Sequence, residues 1–376
     1  MPRVLRRLAV LAALALLVAA WPAQAAAPAV DVDAYIVVDP ATGETLAQRA
    51  PDRELPMAST TKMMTALVVL ETADLDDVMT VPPEAAVGGS TAALVPGEAL
   101  PVRDLLTALL VASGNDAATT LAVGVAGSER AFVARMNRRA RELGLTETRF
   151  ANPHGLDAPG HHSSVRDLVT LAGTAMRNPV FRRNVSSRRA TIPGPDGVGT
   201  RSFVSENDLL DIDPDVDGVK TGMTDGAGFA LVAHSRRRAT DPELYAALIG
   251  ARSEAGRTRD GERLLEYGRS FYGAATLIGE GTVFGRVPVD DRPGTSVPYV
   301  AAAPLVAPLR LGEPLTETVT APPEIAAPVE EGQVIGSVTV RQGERVLGRR
   351  DLVAAESAGE PSLWDRVRAG VEELMP

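Results

Sequence analysis

The chain is organised around the stretch Ala58-Ser59-Thr60-Thr61-Lys62-Met63-Met64-Thr65-Ala66-Leu67. Residues three apart lie on one face of a helix, so the Ser59 hydroxyl and the Lys62 amine are expected to meet. The apolar residues that follow predict a buried helix, and burial lowers the pKa of a lysine because it penalises the charged form. A neutral amine beside a hydroxyl is a general base beside a nucleophile. The stretch therefore predicts a serine nucleophile with a lysine base.

Lysine is almost absent from the rest of the chain. Of the 38 basic residues only Lys62 and Lys220 are lysines, and all the others are arginines. Arginine keeps its proton in proteins, whereas a buried lysine can lose it. A proton-accepting role explains Lys62, and the compact charge of lysine suits Lys220, which begins a Lys-Thr-Gly triplet. Chance or codon bias is the alternative explanation for this pair.

Residues 1–25 have the pattern of a secretory signal peptide. A basic head with three arginines precedes the apolar stretch 8–20, and Ala23-Gln24-Ala25 is a small-x-small cleavage site. An uncleaved anchor is the alternative, and no later apolar stretch is long enough to span a bilayer. These features predict an exported protein in the periplasm or another extracytoplasmic space.

The composition sets limits on the classes of function. The 376 residues are 45% hydrophobic, which allows two domains with a sizeable core. A formal net charge of −10 argues against nucleic acid as a partner and against broad electrostatic adhesion to anionic lipid. The chain has no cysteine, which excludes disulfides, thiolate zinc sites and cysteine nucleophiles. No cofactor is predicted.

The order of helices and short strands predicts an α+β domain over residues 30–273. Turn residues at 39–43 join two β-rich segments into a hairpin. Three more strands are expected at residues 217–224, 229–235 and 244–251, followed by a closing helix at 263–272. Successive short strands indicate an antiparallel sheet, with the hairpin at its other edge and helices flanking it.

The triplet Ser113-Gly114-Asn115 lies between two predicted helices, residues 105–112 and 117–124. A tight corner of this kind can present two polar side chains to a cleft. Serine, glycine and asparagine are ordinary turn formers, so the triplet alone is a weak signal.

Three histidines, His154, His161 and His162, occur within nine residues and invite a metal interpretation. Zinc sites combine histidines at characteristic spacings with a carboxylate or another ligand, and this spacing matches none of them. We therefore expect structural hydrogen bonding from these histidines and predict no metal site.

The character of the chain changes at residue 274, where prolines accumulate and helical periodicity ends. Short β-like segments predict a small all-β domain over residues 274–358. Residues 361–376 place Trp364 and several aliphatic residues at helical spacing, which predicts an amphipathic tail helix. Such a helix can lie on a membrane surface. Packing on its own domain is the alternative, because the tail is short and contains Glu372 and Glu373.

Three motifs occur together in order: Ser59 with Lys62, Ser113 with Asn115, and Lys220-Thr221-Gly222. Together they are highly specific. The chain resembles the low-molecular-mass penicillin-binding proteins, which are serine D-alanyl-D-alanine carboxypeptidases. The resemblance covers essentially the whole mature chain, including residues 154–160, the β-rich domain and the tail. It implies the penicillin-binding and β-lactamase-like transpeptidase fold.

The resemblance also implies a two-step acyl transfer on peptidoglycan stem pentapeptides, inhibited by β-lactam antibiotics. Ser59 would attack the carbonyl between two terminal D-alanines, and Lys62 would take its proton. Backbone N–H groups of Ser59 and Met223 would form the oxyanion hole. Ser113 would relay a proton to the departing D-alanine, and Lys220 would polarise the site.

The same resemblance assigns substrate contacts. Asn115 would hold the substrate's amide backbone, while Thr221, beside Gly222, would bind the terminal carboxylate together with an arginine. Arg257 matches that arginine best and Arg252 fits less well, and a fork of donors suits a carboxylate. His154 would help to shape deacylation. Met223 departs from the family, which often has histidine or tyrosine there, so substrate preference or deacylation rate is expected to differ.

Three other functions compete with this interpretation. A β-lactamase shares the serine and lysine motifs, but class A enzymes have Ser-Asp-Asn and a deacylating glutamate, and they lack a β-rich second domain. A DD-endopeptidase that cuts cross-links is closer in chemistry but usually lacks that domain too. A non-catalytic cell-wall binding protein is the third, and the intact nucleophile and base argue against it.

Overall fold

The computed structural model describes residues 28–236, 238, 241–290 and 292–364. The predicted signal peptide lies outside these residues. Of the described residues, 28–236 and 242–270 form one compact unit, and 271–290 with 292–364 belong to another. We call them the first and the second unit.

The first unit alternates strands with helices. Its helices are α1 (Lys62–Thr72), α2 (Val102–Leu110), α3 (Asn115–Ala126), α4 (Glu129–Glu142), α5 (Val165–Ala175), α6 (Pro179–Val185), α7 (Leu209–Ile212) and α8 (Glu254–Arg269). Its strands are β1 (Ala34–Asp39), β2 (Glu44–Arg49), β3 (Val78–Thr80), β4 (Ala99–Pro101), β5 (Arg189–Pro193), β6 (Thr200–Val204), β7 (Val216–Thr224), β8 (Gly228–Ser235) and β9 (Leu244–Ala251). Short 3-10 turns occur at Ala58–Thr61, Pro83–Ala85 and Pro195–Gly197.

The main sheet has five strands in the order β2-β1-β9-β8-β7, and every neighbouring pair is antiparallel. The predicted α+β class, with the N-terminal hairpin at the edge opposite the Lys-Thr-Gly strand, is confirmed. All eight residues of β9 are buried. Side chains alternate between the faces of a strand, so this burial requires cover on both faces, and β9 contacts both α5 and α8.

Helix α1 lies at the centre of the helical layer. Its residues from Lys62 to Val69 are all buried, and it contacts α2, α3, α4 and α5. A helix that is apolar all round belongs in the interior, as the sequence predicted. The buried centre begins with Lys62, so the folding of this layer desolvates that amine.

The prediction of the closing helix was wrong at both ends. Helix α8 begins at Glu254 rather than at residue 263, and Ser253 caps it by accepting a hydrogen bond from the N–H of Gly256 at 3.0 Å. Glycines in the helix lower its intrinsic propensity and conceal its start. A Cβ at Gly261 would lie 2.4 Å from Leu231 Cδ2, so glycine allows α8 to pack closely on β8.

The second unit is built of β-strands. They are β10 (Tyr272–Ile278), β11 (Val283–Pro288), β12 (Ser296–Ala301), β13 (Leu305–Arg310), β14 (Leu315–Thr320), β15 (Val334–Gln342) and β16 (Arg345–Ala354). Strands β10 and β13 form a pair, and the others form a sheet in the order β11-β12-β16-β15-β14. The predicted all-β character is confirmed.

The predicted tail helix lies mostly outside the described residues. Leu363 and Trp364, which are described, are 83% and 82% exposed. None of the described helices is both long and apolar enough to cross a bilayer.

Candidate active site

Ser59 lies in the 3-10 turn Ala58–Thr61, which leads directly into α1. The sequence predicted a helix from the serine onward, and the first turn is tighter than that. Ala58 has a φ of 49°, in the left-handed region that alanine rarely adopts. Such strain persists only where the surroundings fix the backbone, and it clusters at functional sites. The Thr61 hydroxyl contributes by donating to the Ala58 carbonyl at 2.8 Å.

Two glycines from different parts of the chain lie very close to the backbone of Ala58 and Ser59. A Cβ at Gly222 on β7 would lie 2.7 Å from the Ser59 nitrogen. A Cβ at Gly155 would lie 2.1 Å from the Ala58 oxygen, and Gly155 has a φ of 102°. A side chain at the last residue of the Lys-Thr-Gly triplet would collide with the backbone of Ser59, which explains the glycine there. The backbone before Ser59 is held between β7 and the loop 152–160.

The Lys62 amine has three hydrogen-bond partners among the residues that the structure describes. Nζ lies 2.8 Å from Ser59 Oγ, 2.7 Å from Asn115 Oδ1 and 2.7 Å from the carbonyl oxygen of His154. Lys62 itself is fully buried, whereas Ser59 is partly exposed. The predicted meeting of serine and lysine is present in the structure.

The chemistry of these partners fixes where a lone pair on Lys62 would point. A neutral amine has two N–H donors and one lone pair. Asn115 Oδ1 and the His154 carbonyl can only accept, so they take the two N–H bonds. The Ser59 hydroxyl is the one partner that can donate, so the lone pair faces its proton. This arrangement is that of a general base beside its nucleophile.

Burial governs the ionisation of both lysines in the cleft. It lowers the pKa of Lys62 well below the usual value, and the charge of Lys220 lowers it further. Glu206 and Asp116 act in the opposite direction on the pKa of Lys62. The pKa of Lys220 falls to about 8, mainly because of burial. The lowered pKa favours the neutral form of Lys62, whereas Lys220 remains largely charged near neutral pH.

Ser113 and Asn115 enter the cleft from the corner before α3. Ser113 is buried, has a φ of 57°, and its Oγ has no hydrogen-bond partner in the described part of the chain. Asn115 donates from Nδ2 to the Gly88 carbonyl at 2.6 Å and accepts from Lys62 through Oδ1. The structure thus places Asn115 on the base, a contact that the sequence did not predict.

Strand β7 carries the third motif along the cleft. Lys220 donates from Nζ to the Thr221 carbonyl at 2.9 Å, and both residues are buried. Met223 follows Gly222 and is 57% exposed, so its side chain faces outward.

Arg257 lies near the end of β7 and is almost fully buried. It is 6.0 Å from the ring of Phe229, which pairs with Met223 across the strands, and its charge lowers the pKa of Lys220. Arg252, the poorer match, is exposed and pairs with Asp33 at 2.9 Å. Of these two arginines, only Arg257 interacts with a residue of the cleft.

Comparison with known families follows the same division of the chain. Residues 22–253 match the model of a peptidase family, S11, described as D-alanyl-D-alanine carboxypeptidase. The chain belongs to this family. Residues 272–360 match a second model, described as the C-terminal domain of penicillin-binding protein 5.

Curated relatives are similar to this chain over most of its length. The D-alanyl-D-alanine carboxypeptidase DacC of Escherichia coli (strain K12) is 33% identical over 361 residues, which are 91% of this chain and 88% of that protein. DacF of Bacillus subtilis (strain 168) is 29% identical over 331 residues, or 85% of this chain and 84% of that protein. The likeness therefore extends over both units.

Two solved structures have a similar fold. Penicillin-binding protein 5 from Haemophilus influenzae is similar with a TM-score of 0.62 and 27% identity, covering 89% of this chain and 99% of that one. The Streptomyces K15 DD-transpeptidase has a TM-score of 0.61 and 30% identity, covering 65% of this chain and 99% of that one.

Sequence reasoning missed a chain of hydrogen bonds that runs from His161 to the backbone before Ser59. His161 Nδ1 accepts from the N–H of Ala151 at 2.9 Å, and Nε2 lies 2.8 Å from the Thr61 hydroxyl, which in turn donates to Ala58. The tautomer with hydrogen on Nε2 satisfies every member. Burial lowers the pKa of His161 to about 4, so this histidine is neutral at pH 7. The prediction of structural hydrogen bonding is confirmed for His161.

The loop 152–160 is tied to the end of β7. Asp157 accepts hydrogen bonds from the Thr224 hydroxyl at 2.7 Å and from the N–H of Gly226 at 2.8 Å. The same loop carries His154, whose carbonyl binds Lys62 and whose imidazole pKa is lowered to about 4, chiefly by burial. His154 contacts the base through its backbone rather than through its ring.

Proposed function

We propose that this chain is a serine D-alanyl-D-alanine carboxypeptidase that removes the terminal D-alanine from peptidoglycan stem pentapeptides. The observation that carries the proposal is the environment of Lys62, whose lone pair faces the Ser59 hydroxyl while two acceptors hold its N–H groups. Membership of the S11 family supports the reaction class.

In the first step, Ser59 Oγ attacks the carbonyl carbon of the penultimate D-alanine and its proton passes to Lys62 Nζ. The oxyanion that forms would accept from the backbone N–H groups of Ser59 and Met223. The close approach of Gly222, the residue before Met223, to the Ser59 nitrogen supports this assignment.

Collapse of the tetrahedral intermediate breaks the C–N bond and leaves an ester on Ser59. The departing amine needs a proton, and the buried Ser113 hydroxyl is the group proposed to pass it on. Its Oγ, without a hydrogen-bond partner among the described residues, supports that role. Water then hydrolyses the ester and restores the Ser59 hydroxyl, and the His154 carbonyl would shape this step by orienting Lys62.

Substrate binding would use the opposite end of the cleft. Lys220, largely charged near neutral pH, and the buried Arg257 offer two positive charges to the terminal carboxylate, with the Thr221 hydroxyl as a third donor. Asn115 would hold the substrate amide by exchanging its bond to Gly88 for one to the peptide.

The proposal also covers inhibition by β-lactams and the cellular location of the protein. A β-lactam presents a reactive amide and a carboxylate in the same relation, so it would acylate Ser59. The signal-peptide pattern of residues 1–25 supports a location outside the cytoplasmic membrane. The exposed Leu363 and Trp364 support the proposed contact of the tail with a membrane surface.

The test is the intact mass of the mature protein over time after benzylpenicillin is added, together with release of D-alanine from a stem pentapeptide. We expect an adduct that lasts minutes, and D-alanine release that Ser59→Ala abolishes. Ser186→Ala, at an exposed serine, serves as the matched control.

Other outcomes would overturn the proposal in distinct ways. An adduct that disappears within seconds while the drug is destroyed would indicate a β-lactamase. Release only from cross-linked dimers would indicate an endopeptidase. No adduct and no D-alanine release would indicate a cell-wall binding protein.

A further inference from the structure

A buried carboxylate in the first turn of α3 holds a loop of the chain against that helix. Asp116 is 3% exposed. Its Oδ2 accepts from the Thr91 hydroxyl at 2.6 Å and from the N–H of Leu94 at 3.0 Å. Both of its oxygens lie 3.0 Å from the nitrogen of the Ala92 N–H. A buried carboxylate needs such donors because it has lost contact with water, so Asp116 fixes the position of the loop 88–94.

The backbone of this loop is bent around the carboxylate. Ala93 has a φ of 55°, in the left-handed region, and its N–H donates to the Thr91 hydroxyl at 2.9 Å. A residue strained in this way persists only where its surroundings fix the backbone, and the bonds to Asp116 supply that constraint. The Thr91 hydroxyl therefore has two functions, because it donates to the carboxylate and accepts within the loop.

The other end of the loop reaches the side-chain amide of Asn115. Asn115 Nδ2 donates to the Gly88 carbonyl at 2.6 Å, and the backbone N–H of Asn115 donates to the Ser90 carbonyl at 2.8 Å. A Cβ at Gly89 would lie 2.8 Å from Nδ2, so glycine allows this close approach. The amide oxygen, Oδ1, is left to accept from Lys62 at 2.7 Å.

The Gly88 carbonyl determines which end of the amide faces Lys62. A carbonyl oxygen can only accept a hydrogen bond, so it requires the NH2 group of Asn115 on its side and leaves Oδ1 for the lysine. In the opposite orientation Oδ1 would face the carbonyl oxygen, and Nδ2 would donate to the lone pair of a neutral Lys62. That lone pair would then no longer be directed to the Ser59 hydroxyl.

We propose that Asp116 is a positioning residue for the base, and this rests on the proposed function. Its carboxylate holds the loop 88–94, and the Gly88 carbonyl of that loop sets the orientation of the Asn115 amide. The amide in turn leaves the lone pair of Lys62 directed to the serine hydroxyl. Asp116 therefore acts on proton transfer through these groups rather than by its own contact with the reacting atoms.

The experiment is a double-mutant cycle on the mature protein, measured as D-alanine release and as the rate of benzylpenicillin acylation above the acid limb of the pH profile. Asp116→Asn keeps the size of the side chain but replaces one acceptor oxygen with a donor that faces N–H groups. We expect both rates to fall about 10- to 100-fold, since a small misplacement of a catalytic group has effects of this size. In an Asn115→Ala background the same change should cost less than about threefold, because the amide that it orients is gone.

Thr91→Val tests the proposal with the charge of Asp116 intact. It removes a hydroxyl donor at an exposed residue, and we expect acylation to slow about 3- to 10-fold. Thr91→Ser keeps the hydroxyl and should restore the wild-type rate. Asp211→Asn is the matched control, because it removes an exposed carboxylate that pairs with Arg188, and it should leave both rates unchanged.

Equal losses from Asp116→Asn in the wild-type and Asn115→Ala backgrounds would overturn this proposal, because Asp116 would then act independently of the amide. Wild-type rates in both Asp116→Asn and Thr91→Val would also overturn it. If Asp116→Asn does not fold, Thr91→Val takes its place in the cycle, and the same comparison decides. Failure of the wild type to release D-alanine, with acylation by penicillin intact, would instead overturn the proposed function and leave the cycle readable in the acylation rate.

Discussion

Two buried bases in the first unit respond to their surroundings in opposite ways. Lys62 is bonded to a hydroxyl, an amide oxygen and a carbonyl, all uncharged, and burial lowers its pKa. Burial also acts to lower the pKa of His234, but two carboxylates outweigh it and raise the pKa. They are Asp217, 2.5 Å from Nδ1, and Glu243, 3.1 Å from Nε2.

The comparison indicates that bonded carboxylates can outweigh burial, which is the largest single influence on the pKa of both groups. A buried base with neutral partners gives up its proton, and a buried base with anionic partners keeps it. The first arrangement suits catalysis at Ser59. The second favours the charged form of His234, which joins β8 to Asp217 of β7 and to Glu243.

The largest expected effect comes from placing a permanent charge at the catalytic base. Lys62→Arg keeps the positive charge but cannot supply a lone pair, because arginine does not lose its proton in proteins. We expect penicillin acylation to slow by about 10³-fold or more. Measurement of the second-order acylation rate checks this, and labelling within tenfold of wild type would rule out the general-base assignment.

A smaller effect on acylation is expected when Lys62, like His234, is given a carboxylate as a hydrogen-bond partner. Asn115→Asp places a carboxylate 2.7 Å from Nζ, and an adjacent anion raises a pKa by about 1–3 units. The acid limb of acylation should move to higher pH, and the rate at pH 7 should fall about 10- to 100-fold. Recovery of the rate at alkaline pH separates this effect from misfolding. If the acid limb of the acylation profile stayed at its wild-type pH, the proposed effect of an anionic partner on Lys62 would be contradicted.

His161 resembles Lys62 in having uncharged partners, which are a backbone N–H and a hydroxyl. Its pKa is lowered from 6.5 to about 4, so the unfolded chain binds protons that the folded chain excludes. Stability should therefore fall as pH drops from about 6.5 to about 4, by roughly 3 kcal/mol from this group. Urea unfolding of His161→Gln should show a shallower fall than wild type, and equal slopes would refute the assignment.

The smallest expected effect is at the second cluster. The pKa of His234 is raised, so its contribution to stability is complete below about pH 6.5 and is lost as pH rises through the folded value. Asp217→Asn removes one anionic partner, so the pKa of His234 should fall and stability at pH 6 should drop by about 1–2 kcal/mol. In urea unfolding, the loss of stability as pH rises above about 6.5 should be smaller in Asp217→Asn than in wild type. Acylation measured in parallel should change far less than in Lys62→Arg.

The sequence carried enough information to predict the contact between Ser59 and Lys62 and the strand that carries the Lys-Thr-Gly triplet, because residue type and spacing encode them locally. It did not show that Asn115 binds Lys62, or that Ala58 adopts a left-handed conformation, since both depend on chain segments that meet only in the folded protein. The chain of hydrogen bonds through His161 was hidden for the same reason. The start of α8 was missed because its glycines, which fit against β8, weaken the local helical signal.

The most direct test of the account uses the fact that the chain has only two lysines. Protein labelled with ¹⁵N at the lysine amines would give two side-chain NMR signals, which Lys62→Arg and Lys220→Arg would assign. We predict that the Lys220 signal titrates near pH 8 and that the Lys62 signal titrates well below the ordinary lysine pKa of 10.5. Titration of both signals near pH 10 would contradict the claim that uncharged partners and burial make Lys62 a base.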